Sequence, residues 1–426
     1  MPEAKSKIAF KPVEEQLALL RKGAAEIIPE NELRAKLENS IKTGKPLRAK
    51  LGVDPTSPDL HLGHTVVMRK LRHFQEMGHT AVFLIGDFTA LVGDPSGQSE
   101  TRPQLSRDQV EANTKTYLAQ AYKILDPEKT EVRRNTEWLD KLTSYDIVKL
   151  CSKYRLARML EREDFRSRLA GNHPIAIHEL LYPLMVAYDS VMLEADVELG
   201  ATEQKFNLLI GREIQREYGQ PTQVCMTLPI LVGLDGERKM SKSLGNYVGI
   251  TESPTEMFGK LMSISDELMW SYYELLTDLE PRVILRLREE VQQGIVHPME
   301  AKMELARGII ADFHDEESAQ QAEQEFKRVH SKRELPTDIP EKIIPPEYRQ
   351  RFLTAGTKTV HLAVLMAMFE DIAASRSAAE KLIRQGAVEW DGLRIYDPGF
   401  QIELNGLRKG KLLRVGKRRI CTVILG

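Results

Sequence analysis

Apolar positions recur along the chain with two different periods. Val13, Leu17, Leu20, Ala24 and Ile27 fall at helical spacing and predict a packing helix from Val13 to Ile28. Lys45 to Asp54 predicts a short strand, with Leu51 and Val53 alternating. The next stretch, Asp54-Pro-Thr-Ser-Pro-Asp59, holds two prolines and reads as a turn-rich connection. A helix is predicted from Gly63 to about Met77, with Val67, Leu71 and Phe74 on its buried face and Gly78 as its stop. Ala81 to Ile85 is a continuous apolar run, the pattern of a strand covered on both faces. Strand, helix, strand makes a βαβ unit and hence a parallel sheet. Ligands of such sheets bind at the carboxyl ends of the strands. His61-Leu-Gly-His64 and the loop Gly86 to Gly97 both belong there.

Further on, Ser106 to Leu125 and Leu142 to Arg162 read as helices of an insertion, and Leu181 to Val191 as a helix. Gln204 to Tyr218 predicts another, with Phe206, Leu209, Ile210 and Ile214 on one face. Val224 to Val232 reads as a late strand that delivers Lys239-Met-Ser-Lys-Ser243. After Thr251 the texture is helical and charged through Phe313. Pro336, Pro340, Pro345 and Pro346 mark a linker, and Thr357 to Gly426 reads as a small α+β module.

Composition narrows the class. The chain has 426 residues, 42% hydrophobic and 29% charged, as a globular protein of two or three domains would. Net charge is -2, so any contact with nucleic acid must come from a local basic patch. Cys151, Cys225 and Cys421 lie far apart with no CxxC pair, which argues against a zinc site or a disulfide framework. Met1 to Phe10 lacks a long apolar core, and no run approaches a membrane span. The expectation is a cytoplasmic enzyme with no membrane partner.

Candidate chemistry gathers at the strand ends. His61 and His64 flank Gly63 in the first turn of a helix, where exposed N–H groups favour anions; capping is the other use of such a pair. Lys239 and Lys242 bring two ammonium charges on a small-residue loop that suits a polyphosphate, and Ser243 adds a hydroxyl; a solvated lysine pair is the alternative. Asp54 and Asp94 follow predicted strands, as holders of an amino group or as turn formers, and Gly52 and Gly93 permit close backbone approach. Tyr182, Val186 and Asp189 share one helix face. Arg376, Lys381 and Arg384 on a short helix, with Arg408, Lys409, Lys411, Arg414, Lys417, Arg418 and Arg419 in the tail, form the local basic cluster. Asp391-Gly392 is a hairpin signal.

In this order the motifs resemble a known family. His61-Leu-Gly-His64 is a variant of the HIGH signature, and Lys239 to Ser243 is KMSKS letter for letter, the two signatures of class I aminoacyl-tRNA synthetases. Val53 to His64, Gly93-Asp-Pro-Ser-Gly97, Tyr182 to Asp189 and Gln204 are similar to segments of the tyrosyl-tRNA synthetases. Ala374 to Gly392 resembles the S-four-type RNA-binding domain of the bacterial members, which tryptophanyl enzymes normally lack.

The resemblance implies an α/β fold in four parts: a Rossmann-like catalytic domain with a helical insertion over 1–250, a helical tRNA-binding domain over 251–332, a Pro-rich linker over 333–356 and the RNA-binding domain over 357–426. It implies ATP and L-tyrosine as substrates, Mg2+ accompanying ATP, tRNA(Tyr) as acceptor and a homodimer. His61, His64, Lys239, Lys242, Ser243 and Arg102 would serve catalysis. His61, Gly63, His64, Glu203 and Lys242 would hold ATP. Gly52, Asp54, Asp94, Tyr182, Asp189 and Gln204 would surround the amino acid, with Asp94 and Tyr182 at its amino group and Asp189 at its hydroxyl. Arg376, Lys381, Arg384, Lys417, Arg418 and Arg419 would meet RNA.

Three positions depart from the family pattern. Val186 stands where glutamine is usual, Gly200-Ala-Thr-Glu-Gln204 replaces GGTDQ or GGSDQ, and Lys50 replaces a tyrosine common among bacterial members, although one branch carries lysine. Two other readings accommodate these departures: an RNA-binding protein that keeps the fold without catalysis, and a relative that activates another aromatic amino acid.

Overall fold

The computed structural model describes residues 10–94, 105–331, 339–354, 356–416 and 419–426, so Arg102, Lys417, Arg418 and the stretch 95–97 lie outside the described residues. The chain divides into two compact units, the first ending at Phe326 and the second running from Lys327 to Gly426.

The first unit is built on six strands: β1 (Glu26–Ile28), β2 (Arg48–Val53), β3 (Thr80–Ile85), β4 (Thr130–Arg134), β5 (Val197–Ala201) and β6 (Val224–Leu228). They lie in the order β1-β6-β5-β2-β3-β4, all parallel except β1. The predicted βαβ unit is present: β2, a helix over Leu62–Glu76, then β3 in parallel register with Leu51 opposite Phe83. From β2 the chain steps outward to β3 and β4, then returns to place β5 on the other side of β2. That reversal opens a crevice at the carboxyl ends of β2 and β5.

Several sequence expectations change. The first helix stops at Arg21, and Glu26–Ile28 is an antiparallel edge strand. Strands β4 and β5 were not anticipated. The predicted 142–162 helix is two short ones, Ser144–Cys151 and Leu156–Met159, and the loop after β3 contains a helical turn over Thr89–Val92. The region after Thr251 holds helices Pro254–Leu261, Asp266–Leu276, Pro281–Gln292, Pro298–Phe313 and Glu316–Ser331. Phe258, Tyr272, Ile309 and Ile310 from these helices join Leu51, Phe83 and Met226 from the sheet in one core. Among the described residues, no helix is long and apolar enough to cross a membrane.

The second unit contains β7 (Glu341–Ile343), β8 (Thr359–His361), β9 (Val388–Trp390), β10 (Leu393–Ile395), β11 (Gln401–Glu403), β12 (Lys411–Val415) and β13 (Arg419–Ile424). Five strands order as β10-β9-β12-β13-β7, while β8 pairs with β11. The Asp391-Gly392 hairpin forms as predicted, both residues at positive φ, which is the geometry of a two-residue hairpin loop. Part of the 333–356 stretch is regular structure. Glu341–Ile343 pairs in parallel with β13, and Pro346 opens a helix to Thr354. Proline is well suited to a helix's first position, so the same residues that suggest a linker here start an element.

Candidate active site

The HLGH segment caps its own helix. His61 is the N-cap residue; its Nδ1 accepts from the Gly63 backbone N–H at 3.2 Å, and the Nδ1 of His64 accepts from the His61 N–H at 3.2 Å. The rings lie 3.9 Å apart. Because each Nδ1 is an acceptor, the proton of each neutral ring sits on Nε2. Burial lowers the His61 pKa to about 3, with His64 and Lys242 adding to the effect, and burial and then Lys242 lower His64 to about 4. Both rings are therefore neutral at physiological pH, each with an Nε2–H to donate. Capping uses only Nδ1, so it leaves each Nε2–H able to donate to a ligand and is compatible with the binding reading. Gly63 leaves room for that ring, since a Cβ would stand 2.9 Å from His61 Cε1 and something would have to shift.

The KMSKS loop is knitted by Asn246. Its side chain accepts from the Ser241 N–H at 2.8 Å and donates to Asp235 Oδ2 at 3.0 Å and to the Lys239 carbonyl at 3.1 Å. The buried Met240 donates its N–H to the Leu231 carbonyl at 2.9 Å. Lys239 Nζ is 3.2 Å from both carboxylate oxygens of Glu203. Lys242 Nζ is 3.0 Å from Asp59 Oδ2 and 3.1 Å from Ser57 Oγ, while the Ser243 hydroxyl lies 2.9 Å from that of Ser241. Such partly exposed pairs hold by about 0–1 kcal/mol, so an incoming phosphate displaces them easily. The two motifs are also tied together. The Leu62 N–H donates to the Val248 carbonyl at 3.0 Å, and the Ile250 N–H to Leu60 at 3.2 Å.

Beside them lies a cavity of about 350 Å³ at the carboxyl ends of β2 and β5. Gly52, Asp54, Gly63, His64, Asp94, Tyr182, Asp189, Glu203, Gln204 and Lys239 line it; His61, Lys242 and Ser243 do not. One hydrogen-bond chain crosses it. Tyr182 Oη donates to Asp54 Oδ2 at 2.9 Å, Thr89 Oγ1 to Asp54 Oδ1 at 2.7 Å, and Asn135 Nδ2 to Thr89 Oγ1 at 3.0 Å and to Asp189 Oδ2 at 3.2 Å. Trp138 Nε1 completes it, donating to Asp189 Oδ1 at 2.8 Å. Sequence reasoning found both acids and Tyr182 but missed Thr89, Asn135 and Trp138. Gln204 accepts from the Ala201 N–H at 3.0 Å, which fixes it at the end of β5. Val186 forms part of the cavity wall.

Burial raises both acids. Asp54 rises to about 7, against the pull of the Thr89 and Tyr182 hydrogen bonds and with a push from Asp94. Asp189 also rises to about 7, opposed mainly by the charge of Lys50. A ligand ammonium beside Asp54 favours its carboxylate and lowers its pKa. Binding of a zwitterionic amino acid at about pH 6 is therefore expected to release about one proton, and affinity to rise with pH until about 7. Calorimetry in buffers of different ionisation heat measures this; no proton release would contradict it.

In the second unit, Arg376 and Arg384 share Glu380 at 2.9 and 3.4 Å, and Lys381 lies between them on the helix Arg376–Arg384. Arg419 donates to the Ile372 carbonyl at 2.6 Å and so also anchors the unit's own backbone.

A family model described as tRNA synthetases class I (W and Y) matches residues 42–331. The chain is 53% identical over 407 residues to the tyrosine–tRNA ligase of Moorella thermoacetica, covering 96% of this chain and 95% of that one. It is 50% identical over 413 residues to the tyrosine–tRNA ligase of Aquifex aeolicus, covering 97% and 99%. Two solved structures share the fold. The C-terminally truncated mitochondrial tyrosyl-tRNA synthetase of Aspergillus nidulans gives a TM-score of 0.62 at 21% identity, covering 74% of this chain and 93% of that one. The tyrosyl-tRNA synthetase of Archaeoglobus fulgidus complexed with L-tyrosine gives 0.58 at 24%, covering 73% and 100%. The chain belongs to the class I tRNA synthetases of the tryptophan and tyrosine group. Within that group it falls among the bacterial tyrosyl-tRNA synthetases.

Proposed function

We infer that this chain activates L-tyrosine with ATP and transfers it to tRNA(Tyr). The carrying observation is the cavity crossed by one hydrogen-bond chain that holds two acids, the half-buried Asp54 and the buried Asp189, opening beside HLGH and KMSKS. Asp54, Asp94 and Tyr182 take the amino group, Asp189 takes the phenolic hydroxyl, and Gly52 and Gln204 bound the amino acid between them. Val186 leaves that clamp without the family's glutamine, and the Asp54–Tyr182 bond supports it instead.

The substrate carboxylate attacks the α-phosphorus of ATP in line. A carboxyl oxygen–phosphorus bond forms, the bond to the bridging oxygen breaks, and pyrophosphate leaves with the electron pair. His61 and His64 donate from Nε2–H to phosphate oxygens, while Lys239 and Lys242 leave Glu203 and Asp59 to meet the developing charge. Glu203, once free, accepts from the ribose, and Gly63 lets the nucleotide approach. Ser243 and Arg102 complete the set. No side chain need act as nucleophile, so catalysis is positioning and electrostatics. Among the described residues, no three or more His, Cys, Asp or Glu gather as a metal site. Mg2+ would accompany ATP, held by phosphates and water, and would offset phosphate charge.

Tyr145, Val148, Leu156, Leu169 and Ile177 are large apolar side chains that stand exposed in this chain, and their exposure supports a homodimer. The three unpaired cysteines support a cytoplasmic location. The second unit, with Arg376, Lys381, Arg384, Lys417, Arg418 and Arg419, would grip tRNA. Charging of tRNA tests the whole reading. A chain ending at Ser331 is expected to keep adenylate formation and to lose at least about tenfold in tRNA charging, about 1.4 kcal/mol. Truncation at 357 is the poorer test, because it would strip β13 from β7. Undiminished charging would remove the second unit from the RNA interface.

A further inference from the structure

Lys50 stands in β2 and its side chain is 1% exposed. Its Nζ is 2.7 Å from Glu198 Oε1 on the adjacent β5, 2.9 Å from Ser190 Oγ and 3.2 Å from the Val186 carbonyl. An ammonium has three N–H donors and no acceptor, so all three are taken by the protein. Glu198 is held in turn: Ser190 Oγ lies 3.2 Å from its Oε2, and Gln223 donates to the same oxygen. Lys50, Glu198 and Asp189 all line the cavity. Asp189 accepts one bond at each oxygen, and a carboxylate has about four acceptor sites, so it retains capacity for a hydroxyl.

We propose that Lys50 and Glu198 form a positioning pair for recognition of the substrate hydroxyl: Glu198, Ser190 and the Val186 carbonyl hold the Lys50 ammonium away from the ligand, and its charge stands behind Asp189 as the counter-ion of the one group that accepts the hydroxyl. This rests on the tyrosine reading and deepens it. Lysine at position 50 is then not a substitute donor for a tyrosine hydroxyl. It works at one remove, and it requires an acid at position 198 to be buried at all. The lysine also ties the helix Ile177–Met192 to the sheet through the Val186 carbonyl, at the position where the family's glutamine is missing.

The pair's charges act on Asp189 with opposite signs. Lys50 favours its carboxylate and Glu198 disfavours it. Asp54 and Tyr182 also face Asp189 across the cavity. Tyrosine and phenylalanine bring the same ammonium to Asp54, so the ratio of their dissociation constants cancels that group and reports Asp189. A site built to bond a hydroxyl discriminates strongly against a ligand without one.

The experiment measures equilibrium binding of L-tyrosine and L-phenylalanine between about pH 5.5 and 8.5. The full chain, Lys50→Met/Glu198→Gln and Glu198→Gln are compared, with thermal melts alongside. In the wild type the ratio in favour of tyrosine is expected to rise with pH through about 7. The double variant removes both charges without stranding either; its midpoint is expected to move up by about one pH unit, with the ratio at pH 7 falling about fivefold. Glu198→Gln leaves the lysine charge unopposed, so its midpoint is expected to move down. Either shift, with its sign, supports the pair. A ratio lowered equally at every pH, with no moved midpoint, would mean that Lys50 bonds the hydroxyl directly and would overturn the proposal. An unchanged ratio and midpoint in both variants would reduce the pair to scaffolding. Absence of tyrosine binding by the wild type would defeat the functional reading itself, and the proposal with it.

Discussion

Replacing Gly86 by alanine is expected to lower kcat/KM for tyrosine in adenylate formation by about 100-fold or more, with KM for ATP little changed. Gly86 follows β3 directly, and a Cβ there would lie inside van der Waals contact of Asp54 Oδ1 and Thr89 Oγ1. Both groups belong to the chain that crosses the cavity. Neither can retreat alone, since Asp54 is also bonded to Tyr182 and Thr89 to Asn135. Two hydrogen bonds to the Asp54 carboxyl, each worth about 1.5–3 kcal/mol when that group is ionised, are at stake. A 100-fold loss corresponds to about 2.7 kcal/mol, so loss of one or two of them suffices. Steady-state pyrophosphate exchange at varied tyrosine and ATP measures it, with a melt to establish that the fold persists. Equal losses toward tyrosine and ATP would show that the damage is global and not confined to the amino-acid side.

Lys242→Ala is expected to cut the single-turnover rate of adenylate formation at least about tenfold, about 1.4 kcal/mol, while tyrosine affinity stays within twofold. In the structure Lys242 rests on Asp59 and Ser57, and this contact is made within the free protein. A group held so loosely is available to follow the phosphates as pyrophosphate departs. The expected signature is therefore a loss in rate larger than any loss in ground-state ATP binding. A variant with the wild-type rate would leave the KMSKS lysine as an ordinary surface residue.

The two signatures were legible because their chemistry lies in short contiguous stretches. The βαβ unit was legible because β2 and β3 follow the apolar pattern of their surroundings. Strands β4 and β5 were not, because charges interrupt them. Glu131 pairs with Arg48 and Arg133 with Glu137. Glu198 is buried in β5 only because Lys50 meets it from β2. The Glu131–Arg48 and Glu198–Lys50 pairs join residues far apart in sequence, so no local pattern reports them. The missed site residues follow from this. Asn135 comes immediately after β4, and Thr89 lies in a loop where its hydroxyl resembles any other until Asp54 is placed beside it. The histidine pair shows a different limit: sequence offered capping or ligand binding as alternatives, whereas the capping seen in the structure takes up Nδ1 alone and does not compete with a donor role for Nε2–H. Pro346 gave no local sign of its element, because proline marks the start of a helix as readily as a linker.

The most direct test of the account is pyrophosphate–ATP exchange by the full chain, offered each amino acid in turn with Mg2+. The account predicts exchange driven by tyrosine, with phenylalanine and tryptophan at least about a thousandfold poorer in kcat/KM, because Asp189 is left without its hydroxyl partner. Exchange driven equally well by phenylalanine, or none with any amino acid from folded protein, would contradict it.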